Sequence, residues 1–481
     1  MFFKKSTALI LLFALVLTLS LSGCRKKSPK EKPKTYEGIE LTYYKMFDDA
    51  SVIDPVIKEY EAAHPGLKIK YKKFTNFDEY QKVVLNEMAE GEGPDIFSMQ
   101  NTWFMSNYRK ISPMSAELGS NEDFLNTFVD VAFKDLVRPD KDGVERIYAL
   151  PMTVDTLALY YNKAHYEDRV PTRGKPAKTW EGIKEDVALL TKTDNSFERF
   201  EVAGIAMGRG DNISRAVDTL YLLFLQFGAQ FYNDNFSEAS FASQQGGIAE
   251  YPGMEALKLY TSFADLDEKH YSWNEFIVDD DSSEKELEAF AKGKVSMIIG
   301  FSYTYDEILN QISILKEKGI DTIDESDIKI ASMPQLYDPD ASTEKRVTYA
   351  SYFAETVSRN SKHPDVAWDF LIELTKKENL EYYFDKLHKP TSRRDMIETQ
   401  KQHPVYGVFA SQIGFAESFP ILDYYVYKNL FITVISNANL NGALQGDLLE
   451  AQNIITGMLP EDGLVVPKVE KKDEVDKEKN K

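Results

Sequence analysis

Between residues 39 and 99 the chain reads IELTYYKMFDDASVIDPVIKEYEAAHPGLKIKYKKFTNFDEYQKVVLNEMAEGEGPDIFSM. Ile39–Tyr44 is a β-type run. Asp54-Pro55 is read as a helix start, because Asp caps well and Pro suits the first turn. Val56, Ile57, Tyr60 and Ala63 then fall on one helical face, and His64-Pro65-Gly66 stops it. Leu67–Tyr71 alternates as a half-buried strand does. Phe77, Tyr80, Val84 and Met88 mark a second helix closed by Gly91, and Asp95–Met99 is a third strand. The order β-α-β-α-β predicts a mostly parallel sheet with helices on both faces, an α/β fold. Gly93-Pro94 is turn chemistry, and Asp95 beside it is expected to be a structural cap or hinge group.

The pattern recurs later. Leu287 and Phe290 lie on a helix ending near Gly293, Val295–Ile299 is a buried strand, and Gly300 follows. Val366, Ala367, Phe370, Leu371 and Leu374 form a helical stripe after His363-Pro364. Leu220–Leu225 is too short to span a bilayer and reads as a buried helix face.

The ends differ from this body. Lys4 and Lys5 precede an apolar run, Ala8–Leu21, which closes on Leu21-Ser22-Gly23-Cys24. The run has the length of a signal-peptide core, and its close resembles a bacterial lipoprotein signal. The resemblance implies cleavage before Cys24 and lipid (acyl chains such as palmitate) on it. Residues 24–38 are expected to be a flexible tether and 468–481 a disordered charged tail. Cys24 is the only cysteine, so no intrachain disulfide is available.

The 481 residues carry a net charge of −20. Removing the two leader lysines leaves 55 basic against 77 acidic residues, −22. Such a surface repels nucleic acid and anionic headgroups. No second apolar stretch is long enough to cross a membrane, so lipid is the only expected membrane contact. No two of the six histidines have the spacing of a zinc-protease helix. Gly300-Phe301-Ser302-Tyr303-Thr304 lacks the closing glycine of a nucleophile elbow. No catalytic residue, metal or cofactor is therefore expected.

Several segments together resemble the family 1 extracellular solute-binding proteins, the maltose-binding-protein type that serves ABC importers. They are Gly93-Pro94-Asp95-Ile96-Phe97, residues 148–163 (YALPMTVDTLALYYNK), Thr179-Trp180, residues 290–300 (FAKGKVSMIIG), Met333-Pro334, Val357–Leu374 and Lys389-Pro390-Thr391-Ser392-Arg393. The resemblance implies a type II periplasmic-binding-protein fold: two α/β lobes, each a mostly parallel sheet, with ligand between them. Crossings are placed near Pro151–Asp155, Gly300–Tyr303 and Val357–Lys362. One lobe is then 39–151 plus 301–358, the other 152–300 plus 359–467, with Pro151 and Gly300 as hinge residues. The implied function is capture of a small solute, a sugar or oligosaccharide, for a membrane permease by a lipid-anchored monomer outside the cytoplasm. A non-transport sensor lipoprotein and an extracellular glycan hydrolase are the alternatives.

Ligands of open α/β sheets sit beyond the carboxyl ends of strands. The candidate ligand contacts are accordingly Tyr44, Asp48, Trp103, Asp155, Tyr303, Tyr305, Tyr352, Arg393 and Tyr425. Aromatic rings would cover apolar sugar faces and the polar groups would bind hydroxyls. The tryptophan frequent after the position of Gly300 in the family is replaced by Phe301, Ser302 and Tyr303 here.

Overall fold

A computed structural model describes residues 36–140, 142–194, 199–277 and 285–460. Cys24, the leader, the tail and most of the tether lie outside the described residues. The chain opens with strand β1 (Glu40–Met46), helix α1 (Ala50–Ala63), β2 (Lys68–Phe74), α2 (Phe77–Glu90) and β3 (Ile96–Gln100). Asn76 caps α2 by accepting from the Glu79 N–H at 2.9 Å, and Gly91 ends it at φ 83°. The start of α1 differs from the sequence reading. Asp49, not Asp54, is its cap, and Pro55 lies inside the helix. Pro55 has no N–H for the Ser51 carbonyl, and the Tyr382 hydroxyl reaches that oxygen instead (3.5 Å).

Helix α3 (Asp130–Leu136), β4 (Leu150–Pro151), β5 (Asp155–Thr156), β6 (Ala158–Asn162) and helix α4 (Ala216–Gln226) follow. Next come β7 (Met297–Gly300), α5 (Thr304–Glu317), β8 (Ile328–Ala331), β9 (Thr348–Ser351) and β10 (Phe353–Val357). Helices α6 (Pro364–Leu374) and α7 (Lys377–Leu387), β11 (Ala416–Glu417), α8 (Tyr424–Asn441) and α9 (Gln445–Thr456) complete the walk. No helix among the described residues is long and apolar enough to cross a membrane.

The molecule is a two-lobed α/β protein. The first lobe is built on the sheet β2-β1-β3-β10-β4. β1 runs parallel to β2 and β3, whereas β10 is antiparallel to β3 and β4. The second lobe holds the sheet β7-β6-β8, with both outer strands antiparallel to β6. That departs from the parallel sheet expected there. β7 and β8 are parallel to each other and joined through α5, but β6 runs between them in the opposite sense. Hydrophobic runs report burial on both faces and carry no strand direction.

The packing also redraws two boundaries. Residues 301–331, assigned from sequence to the first lobe, stay in the second: Ile308, Ile312 and Leu315 of α5 share a core with Ala158, Tyr160 and Phe290, and β8 pairs with β6 in register. Residues 364–396, assigned to the second lobe, stay in the first: Trp368, Phe370, Leu371, Leu380 and Tyr383 pack with Leu41, Tyr43 and Ile57. The chain therefore crosses at Met152–Val154, at Tyr352 between β9 and β10, and between Met396 and Tyr406, after which Tyr406 and Phe409 join the second-lobe core. The short sheet β11-β9-β5 lies at the hinge.

Candidate interlobe binding site

The carboxyl ends of β1 and β3 and the start of β10 present a row of rings on the first lobe. Phe47 meets Phe353 edge-on at 5.8 Å, Phe353 meets Phe77 at 6.1 Å, and Phe77 meets Trp103 at 6.4 Å. Phe77 also meets Tyr424 of α8 at 6.4 Å, and the Tyr425 hydroxyl donates to Asp78. Tyr424 and Tyr425 open a helix whose inner face belongs to the second-lobe core. These contacts span the two lobes. Backbone ties run beside them, Ile421 N–H to the Thr102 carbonyl at 2.9 Å among them.

The second-lobe wall is polar. Tyr303 stacks on Phe301 (5.8 Å, 22°) and remains 37 % exposed. The Arg215 guanidinium lies 5.5 Å from the Tyr303 ring centre and 5.8 Å from that of Phe301. Asp218, one turn along α4, is 3.6 Å from Arg215. Burial raises the Asp218 carboxyl and the opposing Arg215 charge holds it down. Tyr303 and Tyr424 are both raised by burial and both feel the Arg215–Asp218 pair. Lys428 sits 5.9 Å over the Tyr424 ring. A guanidinium, a carboxylate and two phenols in one wall provide hydrogen-bond donors and acceptors.

Asp155 lies at the floor. It accepts from the Ser302 N–H (3.1 Å), the Ser302 hydroxyl (2.6 Å) and the Thr156 N–H (2.9 Å). Burial pushes its carboxyl up to about 6 against those hydrogen bonds. It thereby ties the Met152–Val154 crossing to the segment bearing Tyr303.

Of the sequence candidates, Trp103 and Tyr425 stand among the interlobe contacts and Tyr303 on the second-lobe wall, whereas Asp155 is buried with both oxygens taken by Ser302 and Thr156. Five others are engaged elsewhere. Tyr44 packs against Phe74 at 5.4 Å and lies under Lys72, 4.9 Å from its ring centre. Asp48 is buried and accepts from Lys389 at 2.8 Å and Tyr383 at 2.5 Å, with Lys45 at 3.3 Å. Tyr305 packs edge-on against Tyr406. The Tyr352 hydroxyl donates to buried Asp135 at 2.7 Å. Arg393 forks onto Asp395 and donates to the Thr375 carbonyl. Asp48, Tyr352 and Arg393 have spent their polar groups inside the fold. Among the three structural residues, Asp95 accepts from the Thr42 N–H (2.9 Å) and the Ser361 hydroxyl (2.6 Å), tying β1 to the segment after β10. Pro151 accepts from the Ser392 hydroxyl at 2.5 Å. A Cβ on Gly300 would lie 2.5 Å from Thr304 Oγ1.

Phe47, Phe77, Arg215, Asp218, Phe353 and Tyr424 were not anticipated. Arg215 and Asp218 did leave a signal: two charges directly ahead of an apolar run that the helix buries almost entirely. Tyr424 adjoins Tyr425 in a doublet.

A family model described as bacterial extracellular solute-binding protein matches residues 47–381. A putative binding protein of Brucella abortus is 22 % identical over 323 residues, 66 % of this chain and 68 % of that protein. A Thermotoga lettingae ABC-transporter solute-binding protein, solved with α-D-tagatose, superposes with a TM-score of 0.63 at 19 % identity, covering 87 % of this chain and 99 % of its own. The sugar-binding protein MalE of Xanthomonas citri gives a TM-score of 0.67 at 16 % identity, with 87 % and 97 % covered.

Proposed function

The chain belongs to the bacterial extracellular solute-binding protein family, and from that premise we propose that it captures a carbohydrate between its lobes and delivers it to the membrane subunits of an ABC importer. The observation that carries this reading is the Arg215–Asp218 pair set beside Tyr303, facing a wall of rings across a hinge of crossing strands. Rings for C–H faces and paired charges for hydroxyls are carbohydrate chemistry. The two sugar-bound or sugar-binding neighbours of the same fold support the assignment. Ligand contacts on both lobes stabilise the closed form, because a ligand shifts conformers only by its differential affinity.

The hydrolase alternative has less support. It needs one carboxyl group free to protonate the leaving group and a second to attack or to activate water. Asp155 is saturated by Ser302 and Thr156, and Asp218 is paired to Arg215.

Thermal-shift screening with sugars, polyols, amino acids and peptides is the test, since a ligand bound only to the native state raises Tm. The hit should also shrink the radius of gyration in X-ray scattering. Tyr303→Ala should weaken its binding about tenfold or more while leaving the unliganded Tm nearly unchanged. Arg215→Ala should weaken binding and also lower Tm, because it leaves the largely buried Asp218 without its cation. Binding of only amino acids or peptides, or turnover of an oligosaccharide, would overturn the reading.

The same proposal places the protein on the outer face of the cytoplasmic membrane, held by lipid on Cys24. Mass spectrometry of the membrane-extracted protein should show an N-terminus at Cys24 carrying acyl chains. An unmodified Cys24 in that material would refute the anchor.

A further inference from the structure

Phe47 is held in a conformation that bulky residues avoid. Its φ is +67°. The Asp48 N–H donates to the Met46 carbonyl at 2.8 Å, closing a three-residue turn with Phe47 at its centre. Turns of that kind with positive φ are rare and strained. The surroundings enforce it. The Phe47 N–H is bound by the Phe74 carbonyl at 2.7 Å, and the Asp48 carbonyl accepts from the Tyr71 hydroxyl at 2.7 Å. The Asp48 side chain is clamped by Lys45, Lys389 and Tyr383. The result is a phenyl ring left 47 % exposed beside Phe353 at the cleft. Strain maintained by so many partners, with an apolar ring left in water, is the mark of a contact surface.

The wall it belongs to offers a ligand little polarity. Asp48 is consumed as described. Asn101 donates to Asp135 at 3.0 Å and accepts from the Tyr352 N–H at 3.1 Å. Gln100 donates to the Ser351 hydroxyl at 3.1 Å. Phe47, Phe77 and Phe353 are hydrocarbon, and Trp103 is almost covered. The polar wall stands opposite, at Arg215, Asp218 and Tyr303. An unsubstituted sugar carries hydroxyls around its whole rim, and those facing the first lobe would lose water without gaining a partner.

We infer that the ring wall at Phe47, Phe77 and Phe353 is a subsite for a hydrophobic substituent, so that the preferred ligands are glycosides bearing an aryl or alkyl group, with Phe47 as the residue that selects them. The inference rests on the carbohydrate reading above: the sugar meets the second lobe and its aglycone meets the first.

The test is calorimetry on the full soluble chain with matched pairs: maltose, cellobiose and lactose against their 4-nitrophenyl glycosides. Ring stacking predicts that the aryl glycoside of a binding sugar is bound about tenfold more tightly than its parent. Phe47→Gly removes the ring and suits the positive φ, so it should fold with an equal or higher Tm. In that variant the aryl preference should fall to about onefold, the loss falling on the aryl glycoside more than on its parent. A parent sugar bound as tightly as its aryl glycoside, or a preference that survives in Phe47→Gly, overturns the subsite and leaves the carbohydrate reading standing. Failure of every member of every pair to bind removes the subsite, and removes the carbohydrate reading as well when the thermal-shift screen also yields no sugar.

Discussion

Lys45→Met is expected to destabilise the protein by about 3–5 kcal/mol, the cost of leaving buried charge uncompensated. The Lys45 ammonium is buried in the first lobe, bonded to the Glu355 carboxylate, 3.3 Å from Asp48 and 3.6 Å from Met152 Sδ. Burial alone would lower its pKa, but Glu355 and Asp48 outweigh that and raise it. Methionine fills the space and supplies no charge. Glu355 would keep only neutral donors such as the Ser98 hydroxyl (2.9 and 3.1 Å), and Asp48 would keep Lys389 as its cation. Urea unfolding should show the midpoint falling without a change in slope. Lys45→Met combined with Glu355→Gln should recover most of the loss, because the orphaned charge goes with the second substitution. A double variant no more stable than the single one would mean that packing, not charge, is what Lys45 supplies. The network also backs the turn at Phe47, so the single variant should loosen ring presentation at the cleft as well.

That network shows why sequence reading reaches some features and not others. The first three strands, the stripe of α6 and the stop at Gly91 follow from local periodicity and turn chemistry, and all appear in the structure. Asp48 at the end of β1 was a sound candidate for the same local reason, since strand ends face ligands. What removes it is Lys389, 341 positions away in sequence. The lobe boundaries fail similarly. Ile308, Ile312 and Leu315 carry no local mark of which lobe buries them; pairing of β8 with β6 decides. Phe47 gave no sign, because positive φ is expected of glycine or asparagine and not of phenylalanine. Tyr303, Trp103 and Tyr425 rest on an aromatic ring near a strand end or helix start, the same kind of signal that named Tyr305 and Tyr352; local sequence does not say which of these rings a distant partner takes.

At pH 7.5, Asp155→Asn is expected to be more stable than the unsubstituted protein, and the difference should vanish near pH 4. Burial raises the Asp155 carboxyl from 3.8 to about 6 in the folded protein. A carboxyl raised on folding holds its proton more tightly in the native state. Its contribution is therefore full below about pH 4 and is lost as pH rises through about 6, a change of about 3 kcal/mol. Asparagine is uncharged throughout. Its oxygen can still accept from the Ser302 and Thr156 N–H groups, and its NH2 can donate to the Ser302 hydroxyl. Asp155→Ala lacks those acceptors and should be destabilising at both pH values, by about 1–3 kcal/mol for each buried donor left unpaired. Differential scanning calorimetry of the three proteins at pH 4 and pH 7.5 separates charge from hydrogen bonding. An asparagine variant that gains nothing at pH 7.5 would show that the buried carboxylate carries no such penalty. The Ala variant should also bind solute more weakly, because Ser302 precedes Tyr303 and the lost bonds are the ones that fix the Tyr303 ring against the crossing strand.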